Sequence, residues 1–222
     1  MFITPDGPPA AGQGQGRDYL KPRYDPRIFL ALELSRTAQE RMGQAQADLK
    51  QYLANWHFIP PVNFHVTLRF FGEVPEEKIA QVDAACRETI PRLHTLSLHW
   101  NAVDFFGSPD RARVLFIGAD DCPELGELVG MITQTFPGPD QRKQFRAHVT
   151  LAKARKHMEP GLARMNANML RRLRELGRIG PEPIEVDVTT VHREIVMMET
   201  IWVGRAVEYE VRQRYPLAME DH

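Results

Sequence analysis

The chain of 222 residues is long enough to bury a core of its own, and 43% of its residues are hydrophobic. Its net charge of −1 argues against a protein that coats nucleic acid without specificity, because that binding mode requires an overall basic surface. The sequence shows neither a run of about 20 apolar residues nor the pattern of a secretion signal, so we expect a cytoplasmic protein that does not enter membranes. The two cysteines, Cys86 and Cys122, belong to no cluster of Cys or His, and no metal site is predicted.

Residues 1–22 are rich in Gly, Pro and Gln, and this composition predicts a disordered tail before a single bilobal domain over residues 23–222. Hydrophobic periodicity and turn residues then predict strands that alternate with helices. Strands are expected at residues 27–34, 64–72, 96–105, 113–117, 147–151, 184–198 and 206–214, and helices at residues 36–53, 75–89, 123–136 and 161–176. This order favours an α+β fold with two similar lobes of mainly antiparallel sheet and outer helices around a central cleft.

Two short blocks, FHVTL at residues 64–68 and AHVTL at residues 147–151, repeat one pattern. Because side chains alternate faces along a strand, the His and Thr of each block point one way while Val and Leu point the other. Each block is therefore predicted to present an imidazole beside a hydroxyl. Two histidines across a cleft can act as general base and general acid in one in-line displacement at phosphorus, which requires no metal or other cofactor.

Basic residues also surround the second block. The segment from Arg142 to Lys156 contains no acidic residue, and its charge would attract a phosphorylated ligand. By alternation along the strand, Arg146 shares the face of His148, whereas Lys153 shares it only if the strand bends. Both residues are candidates for phosphate binding.

These motifs resemble those of the 2H phosphoesterase superfamily, in its LigT-like branch of RNA 2′,3′-cyclic phosphodiesterases, a branch also described as the 2′-5′ RNA ligase family. HVTLRF at residues 65–70 is similar to the HxTLxF form, and HVTLAK at residues 148–153 to the HxTLxR form, with Lys153 where arginine is usual. Residues 27–31, 72–74, 209–211 and 215–217 are similar to further parts of the family pattern.

The resemblance implies that His65 and His148 form the catalytic pair and that Thr67 and Thr150 hold the phosphate. The implied reaction opens a 2′,3′-cyclic phosphate at an RNA end to a 2′-phosphate, with weak reverse 2′-5′ ligation. In the hydrolytic direction, family analogy has His148 activating water and His65 protonating the leaving group. The resemblance also implies that Lys153 is a phosphate ligand.

Aromatic residues near the first block suggest contacts with a base. Phe71 on the strand and Trp56 in the preceding loop are the stacking candidates, whereas alternation assigns Phe70 to the core. RNA or oligonucleotide ends are the expected partner, and the chain is expected to be a monomer. Two alternatives stay open: a cyclic phosphodiesterase for small nucleotides or ADP-ribose cyclic phosphate, and a module that binds a nucleotide or an RNA end without catalysis.

Overall fold

The structure, a computed structural model, describes residues 25–53, 55–136, 145–180, 186–204 and 206–219. The tail predicted at residues 1–22 lies outside the described residues. The described strands are β1 (Arg27–Glu33), β2 (Trp56–Phe58), β3 (His65–Glu73), β4 (Leu96–Phe105), β5 (Val114–Ala119), β6 (His148–Ala154), β7 (Val188–His192), β8 (Glu194–Val203) and β9 (Ala206–Pro216). The described helices are α1 (Arg36–Lys50), α2 (Glu76–Thr89), α3 (Pro123–Thr135) and α4 (Pro160–Glu175).

The described strands form one continuous antiparallel sheet. Its strands follow the order β7, β4, β5, β6, β3, β1, β8 and β9, and the short β2 pairs with β6. Four strands of this order lie on each side of the boundary between β6 and β3. Apart from β2, the unit β1-α1-β3 on one side has the same order as β5-α3-β6 on the other. The predicted α+β fold with two similar lobes is therefore confirmed, and the lobes are joined into one sheet.

The helices pack against one face of this sheet. Helix α1 begins after Ser35, whose hydroxyl accepts a hydrogen bond from the backbone N–H of Ala38 at 3.3 Å. Helices α3 and α4 begin with a proline at their first position, where the missing N–H is tolerated. Buried side chains from strands and helices form the main core between them. A smaller cluster on the other face is made by Phe29, Ala31, Val196 and Met198.

Two predictions of secondary structure are wrong in detail. The predicted strand at residues 184–198 begins outside the described residues and is otherwise divided into β7 and β8, because β7 pairs with β4 in one lobe and β8 with β1 in the other. The loop predicted before the first His block contains β2, which forms an additional edge beside β6. None of the helices in the described ranges has the length and apolar character needed to span a bilayer.

Candidate active site

The two lobes meet where β3 lies beside β6. These strands, both fully described, share one register pair, Val66 opposite Val149, and both valines are buried. The residues that flank them point to the opposite, open face of the sheet, because side chains alternate along each strand. In the antiparallel pair, each histidine then lies opposite the threonine of the other strand. The residues gathered in this way are the four predicted ones, His65, Thr67, His148 and Thr150.

A β-bulge in β3 determines which later residue reaches this face. Leu68 has no partner in the register with β1, and this extra residue reverses the alternation that follows it. Arg69 is therefore buried, while Phe70 is 44% exposed on the same face as His65. The prediction that Phe70 lies in the core is wrong for this reason.

Strand β6 contains the matching irregularity. Leu151 has no partner in the register with β5, so Leu151 and Ala152 are both buried and Lys153 is exposed. The bulge is the bend that allows Lys153 onto the face of His148. Phe70 and Lys153, each five residues after the histidine of its strand, thus both line the site, which receives an aromatic ring from one lobe and a cation from the other.

A cavity of about 130 Å³ opens at this junction. Hydroxyl, imidazole, ammonium and aromatic groups contribute to its lining, among them His65, Thr67, Phe70, Thr150, Lys153 and Tyr209. His148 lies beside the cavity, next to Thr67 across the strand pair. Within the described residues, no group of three or more His, Cys, Asp or Glu side chains is placed to hold a metal ion.

Hydrogen bonds at both ring nitrogens fix the orientation of the His65 imidazole. Its Nδ1–H donates to the carbonyl of Asn63 at 2.9 Å, because a carbonyl can only accept. In the neutral ring, Nε2 then accepts a hydrogen bond from the hydroxyl of Thr67 at 3.0 Å. Two aromatic rings enclose the imidazole, Phe29 with its centroid at 5.0 Å and Tyr209 in an edge contact at 4.8 Å.

Burial is the main influence on the protonation of His65. It lowers the pKa of His65 to about 4, and the charges of Lys153 and His148 act in the same direction. The hydrogen bond to the Asn63 carbonyl opposes this shift. His65 is therefore neutral at pH 7 in the free protein.

His148 is held in the same way in the other lobe. Its Nδ1–H donates to the carbonyl of Arg146 at 2.8 Å, and its ring makes edge contacts with Phe106 at 4.9 Å and Phe116 at 5.7 Å. Burial lowers the pKa of His148, and the charges of Arg146 and Lys153 lower it further. Both rings therefore leave Nε2 as the nitrogen available for proton transfer.

Arg146 lies near His148 but is not part of the cavity lining. Its guanidinium sits over the ring of Phe116, 4.8 Å from the centroid, and lies 3.7 Å from the carboxylate of Asp104. Part of its charge is therefore already balanced within the protein. The phosphate-binding role of Arg146 stays a prediction, whereas the structure does bring Lys153 to the cavity.

The two stacking candidates are contradicted by the structure. Trp56 is only 7% exposed and belongs to the main core, since β2 is an integral edge of the sheet. Phe71 packs edge to face on Phe136 at 5.6 Å, on the core side of the bulged strand. The aromatic residues that do reach the cavity include Phe70 and Tyr209. Alternation around Tyr209 predicted its strand, but no sequence signal showed that this strand lies over His65.

Known proteins resemble the chain in sequence. The family model described as LigT-like phosphoesterase matches residues 32–116. An RNA 2′,3′-cyclic phosphodiesterase of Methanothermobacter thermautotrophicus is 25% identical over 131 residues, which are 58% of this chain and 71% of that protein. Another from Aeropyrum pernix is 28% identical over 138 residues, which are 60% of this chain and 74% of that protein.

Solved structures resemble the chain in fold. E. coli LigT complexed with NADP+ has a TM-score of 0.66 and 18% identity, and the match covers 87% of this chain and 99% of that one. The protein TT0787 of Thermus thermophilus has a TM-score of 0.65 and 22% identity, with 88% and 100% covered. At these identities the structural similarity shows the fold alone.

Proposed function

We propose that the chain is a LigT-like phosphoesterase and that it hydrolyses the 2′,3′-cyclic phosphate at an RNA end to a 2′-phosphate. The observation that carries the proposal is the pairing of Val66 with Val149, which gathers two imidazoles and two threonine hydroxyls beside one cavity. The relatives named RNA 2′,3′-cyclic phosphodiesterase support the substrate class.

In the proposed reaction, His148 removes a proton from water through Nε2, and the water oxygen attacks phosphorus. The bond from phosphorus to O3′ breaks, and the Nε2–H of His65 protonates the departing oxygen. His148 ends the cycle protonated and His65 neutral, and exchange with solvent restores the starting state. The direction of transfer follows the family analogy.

His65 must be protonated to act as the acid. Its pKa of about 4 means that it is mostly neutral at pH 7 in the free protein. A bound cyclic phosphate carries one negative charge, which favours the protonated imidazole and opposes the effect of Lys153. Protonation of His65 also removes the hydrogen bond that its Nε2 accepts from Thr67. The hydrogen of the Thr67 hydroxyl then becomes free to bind a phosphate oxygen, and the Nε2–H of His65 is available to the departing O3′.

Lys153 and Thr150 complete the proposed phosphate site. Both line the cavity, and charge that develops on the phosphate oxygens is stabilised by donors already in place. A lysine provides a point charge rather than the planar fork of arginine, so the threonine hydroxyls carry more of the orientation. If the 5′-hydroxyl of a second RNA replaces water, the same displacement forms a 2′-5′ linkage. We propose this as a minor reaction, because water is in large excess.

The test is product analysis with an oligonucleotide that ends in a 2′,3′-cyclic phosphate, incubated in EDTA and followed by phosphorus NMR. We expect a 2′-phosphate product. His65→Ala and His148→Ala should each lower kcat by about 10²- to 10⁴-fold, the usual contribution of one proton transfer. His94→Ala, which removes an exposed histidine, is the matched control and should keep full activity.

Near wild-type turnover in both site variants would rule out the two-histidine mechanism. Faster turnover of a cyclic mononucleotide or of ADP-ribose cyclic phosphate than of the oligonucleotide would favour the small-molecule alternative. Tight retention of the 2′-phosphate product without turnover of the cyclic phosphate would favour a binding module.

A further inference from the structure

An apolar side chain stands exposed at the tip of the hairpin that joins β8 to β9. Trp202 is 63% exposed and its neighbour Val203 is 53% exposed. Large apolar residues grouped at one surface point often mark a place where another molecule binds. The other two tryptophans, Trp56 and Trp100, are both buried. Of the three tryptophans, Trp202 is therefore the one that solvent reaches.

The strand pattern directs Trp202 toward the open face that holds the active site. Thr200 lines the cavity, and Trp202 follows it by two residues on β8, so both point to the same face. Across the hairpin, Thr200 pairs with Tyr209 and Trp202 with Val207. The cavity row of Thr200 and Tyr209 thus continues into a row of Trp202 and Val207, about 7 Å further along the strands.

A hydrogen bond from the turn before β3 holds the β9 side of this tip in place. The side-chain amide of Asn63 donates to the carbonyl of Val207 at 2.9 Å. The carbonyl of the same Asn63 accepts the Nδ1–H of His65. Tyr209, two residues beyond Val207, contacts the His65 ring directly. The Trp202 indole is therefore carried on a segment that is hydrogen-bonded to the support of the catalytic imidazole.

We propose that Trp202 is the stacking platform for the base of the second nucleotide from the RNA end, the one before the nucleotide that carries the cyclic phosphate. This inference rests on the proposed function and adds a preference for oligonucleotides over mononucleotides. The Trp202 row lies about 7 Å beyond the Thr200 row that lines the cavity, so a base on Trp202 belongs to the nucleotide next to the one in the cavity. Stacking on an aromatic ring tolerates every base, which suits an enzyme that acts on RNA ends.

The size and charge of the region favour a nucleic acid over a protein. A few exposed side chains at a hairpin tip cover far less than the roughly 800 Å² per partner of a stable protein interface. The adjoining cavity contains Lys153, which has no ion-pair partner among the described residues and can meet the phosphates of a bound strand. A base on Trp202 with its phosphate toward the cavity uses both features.

The experiment compares kcat/KM for a trinucleotide and for a mononucleotide, each with a 2′,3′-cyclic phosphate. We expect Trp202→Ala to lower kcat/KM for the trinucleotide by about 5- to 100-fold, the effect of losing one base–aromatic stack, and to leave the mononucleotide unchanged. Trp202→Phe keeps an aromatic face and should keep most of the preference. Val191→Ala, at an exposed position of β7 on the opposite edge of the sheet, should alter neither substrate.

Binding provides a second readout that does not depend on turnover. Because Trp56 and Trp100 are buried, iodide-accessible fluorescence reports on Trp202. A trinucleotide ending in a 2′-phosphate should protect this fluorescence from iodide, whereas a mononucleotide 2′-phosphate should not. If the wild-type protein hydrolyses neither cyclic substrate, the proposed function fails, and this protection still decides whether the stacking site exists.

Three results would overturn the stacking site. One is an equal loss of kcat/KM on both substrates in Trp202→Ala, which would indicate a structural role. Another is an unchanged trinucleotide preference together with unprotected fluorescence. The third is a change of mass in light scattering on replacing Trp202, which would identify the tip as a contact between copies of the chain.

Discussion

Val66 and Val149 lie opposite each other at the one register pair that joins β3 to β6. Each valine is fully buried, and each is flanked in its own strand by a histidine and a threonine of the candidate site. The long pairings of β3 with β1 and of β6 with β5 hold each imidazole within its own lobe. The relative position of the two imidazoles therefore depends on this narrow joint.

Val149→Ala tests the joint. Removal of buried methyl groups should lower the free energy of unfolding by about 1–3 kcal/mol and also lower kcat, because the two lobes lose their shared contact. Val82→Ala on α2 is the matched control, since that valine is equally buried but lies on a helix that takes no part in the joint. Urea unfolding and kcat, measured well below the melting temperature, give the comparison. Equal kcat in the two variants would show that the joint does not determine catalytic geometry.

Replacement of Lys153 should change both substrate binding and the pH dependence. Lys153→Met removes a positive charge that lowers the pKa of both histidines of the candidate site, so both pKa values should rise. Loss of a charged phosphate contact should also reduce kcat/KM by about 10- to 100-fold. Lys153→Arg should retain the charge and most of the activity.

Lys156→Met is the control for this variant. It removes an exposed charge three residues further along, outside the cavity lining. Titration of the histidine ring protons by NMR provides the pKa values, and steady-state kinetics provide kcat/KM. Similar effects of Lys153→Met and Lys156→Met would mean that only the general basic character of the segment matters.

The pH profile of the wild-type enzyme should have its maximum on the acid side. The proposed reaction needs one neutral and one protonated imidazole, and in that case kcat/KM is highest between the two pKa values of the free enzyme. The pKa of His65 is lowered to about 4 and that of His148 is lowered below its usual 6.5. We therefore expect kcat/KM to peak below pH 6.5 and to decline above it. A maximum above pH 7 would contradict the proposal that these two histidines, with lowered pKa values, act as acid and base.

The repeated His and Thr blocks made much of the site predictable from the sequence. Alternation along a strand correctly placed His65 with Thr67, and His148 with Thr150, on one face. The prediction from alternation is wrong for Phe70, because β3 contains one extra residue before it. The bulge at Leu68 is a property of the pairing with β1, which a local pattern does not contain.

Contacts between distant segments were the other unpredictable part. Trp56 stands in a stretch that was expected to be a loop, and only the pairing of β2 with β6 explains its burial. Tyr209 lies 144 residues after His65 in the chain, yet their rings touch because the β8–β9 hairpin closes over the open face of β1 and β3. Such contacts depend on sheet order, which periodicity along the chain does not specify.

His192 lies in the interior and takes no part in the proposed reaction. Its Nε2 accepts a hydrogen bond from the hydroxyl of Thr190 at 2.8 Å, and the same hydroxyl accepts from the indole N–H of Trp100 at 2.8 Å. Burial lowers the pKa of His192 to about 4, so the folded protein holds this ring neutral at pH 7. Protonation of Nε2 would remove its ability to accept from Thr190.

Acid should therefore destabilise the fold through His192. The unfolded chain, with an ordinary histidine pKa near 6.5, binds more protons than the folded chain between pH 6.5 and 4, so the free energy of unfolding falls as the pH falls through this range. At pH 4.5 this one group should remove about 2–3 kcal/mol relative to pH 7. His192→Gln should abolish that part of the pH dependence, although it lowers stability at pH 7, and His94→Gln at an exposed position should leave the dependence intact. Urea unfolding at pH 7 and pH 4.5 measures the difference, and an unchanged pH dependence in His192→Gln would show that this histidine is not held neutral by the fold.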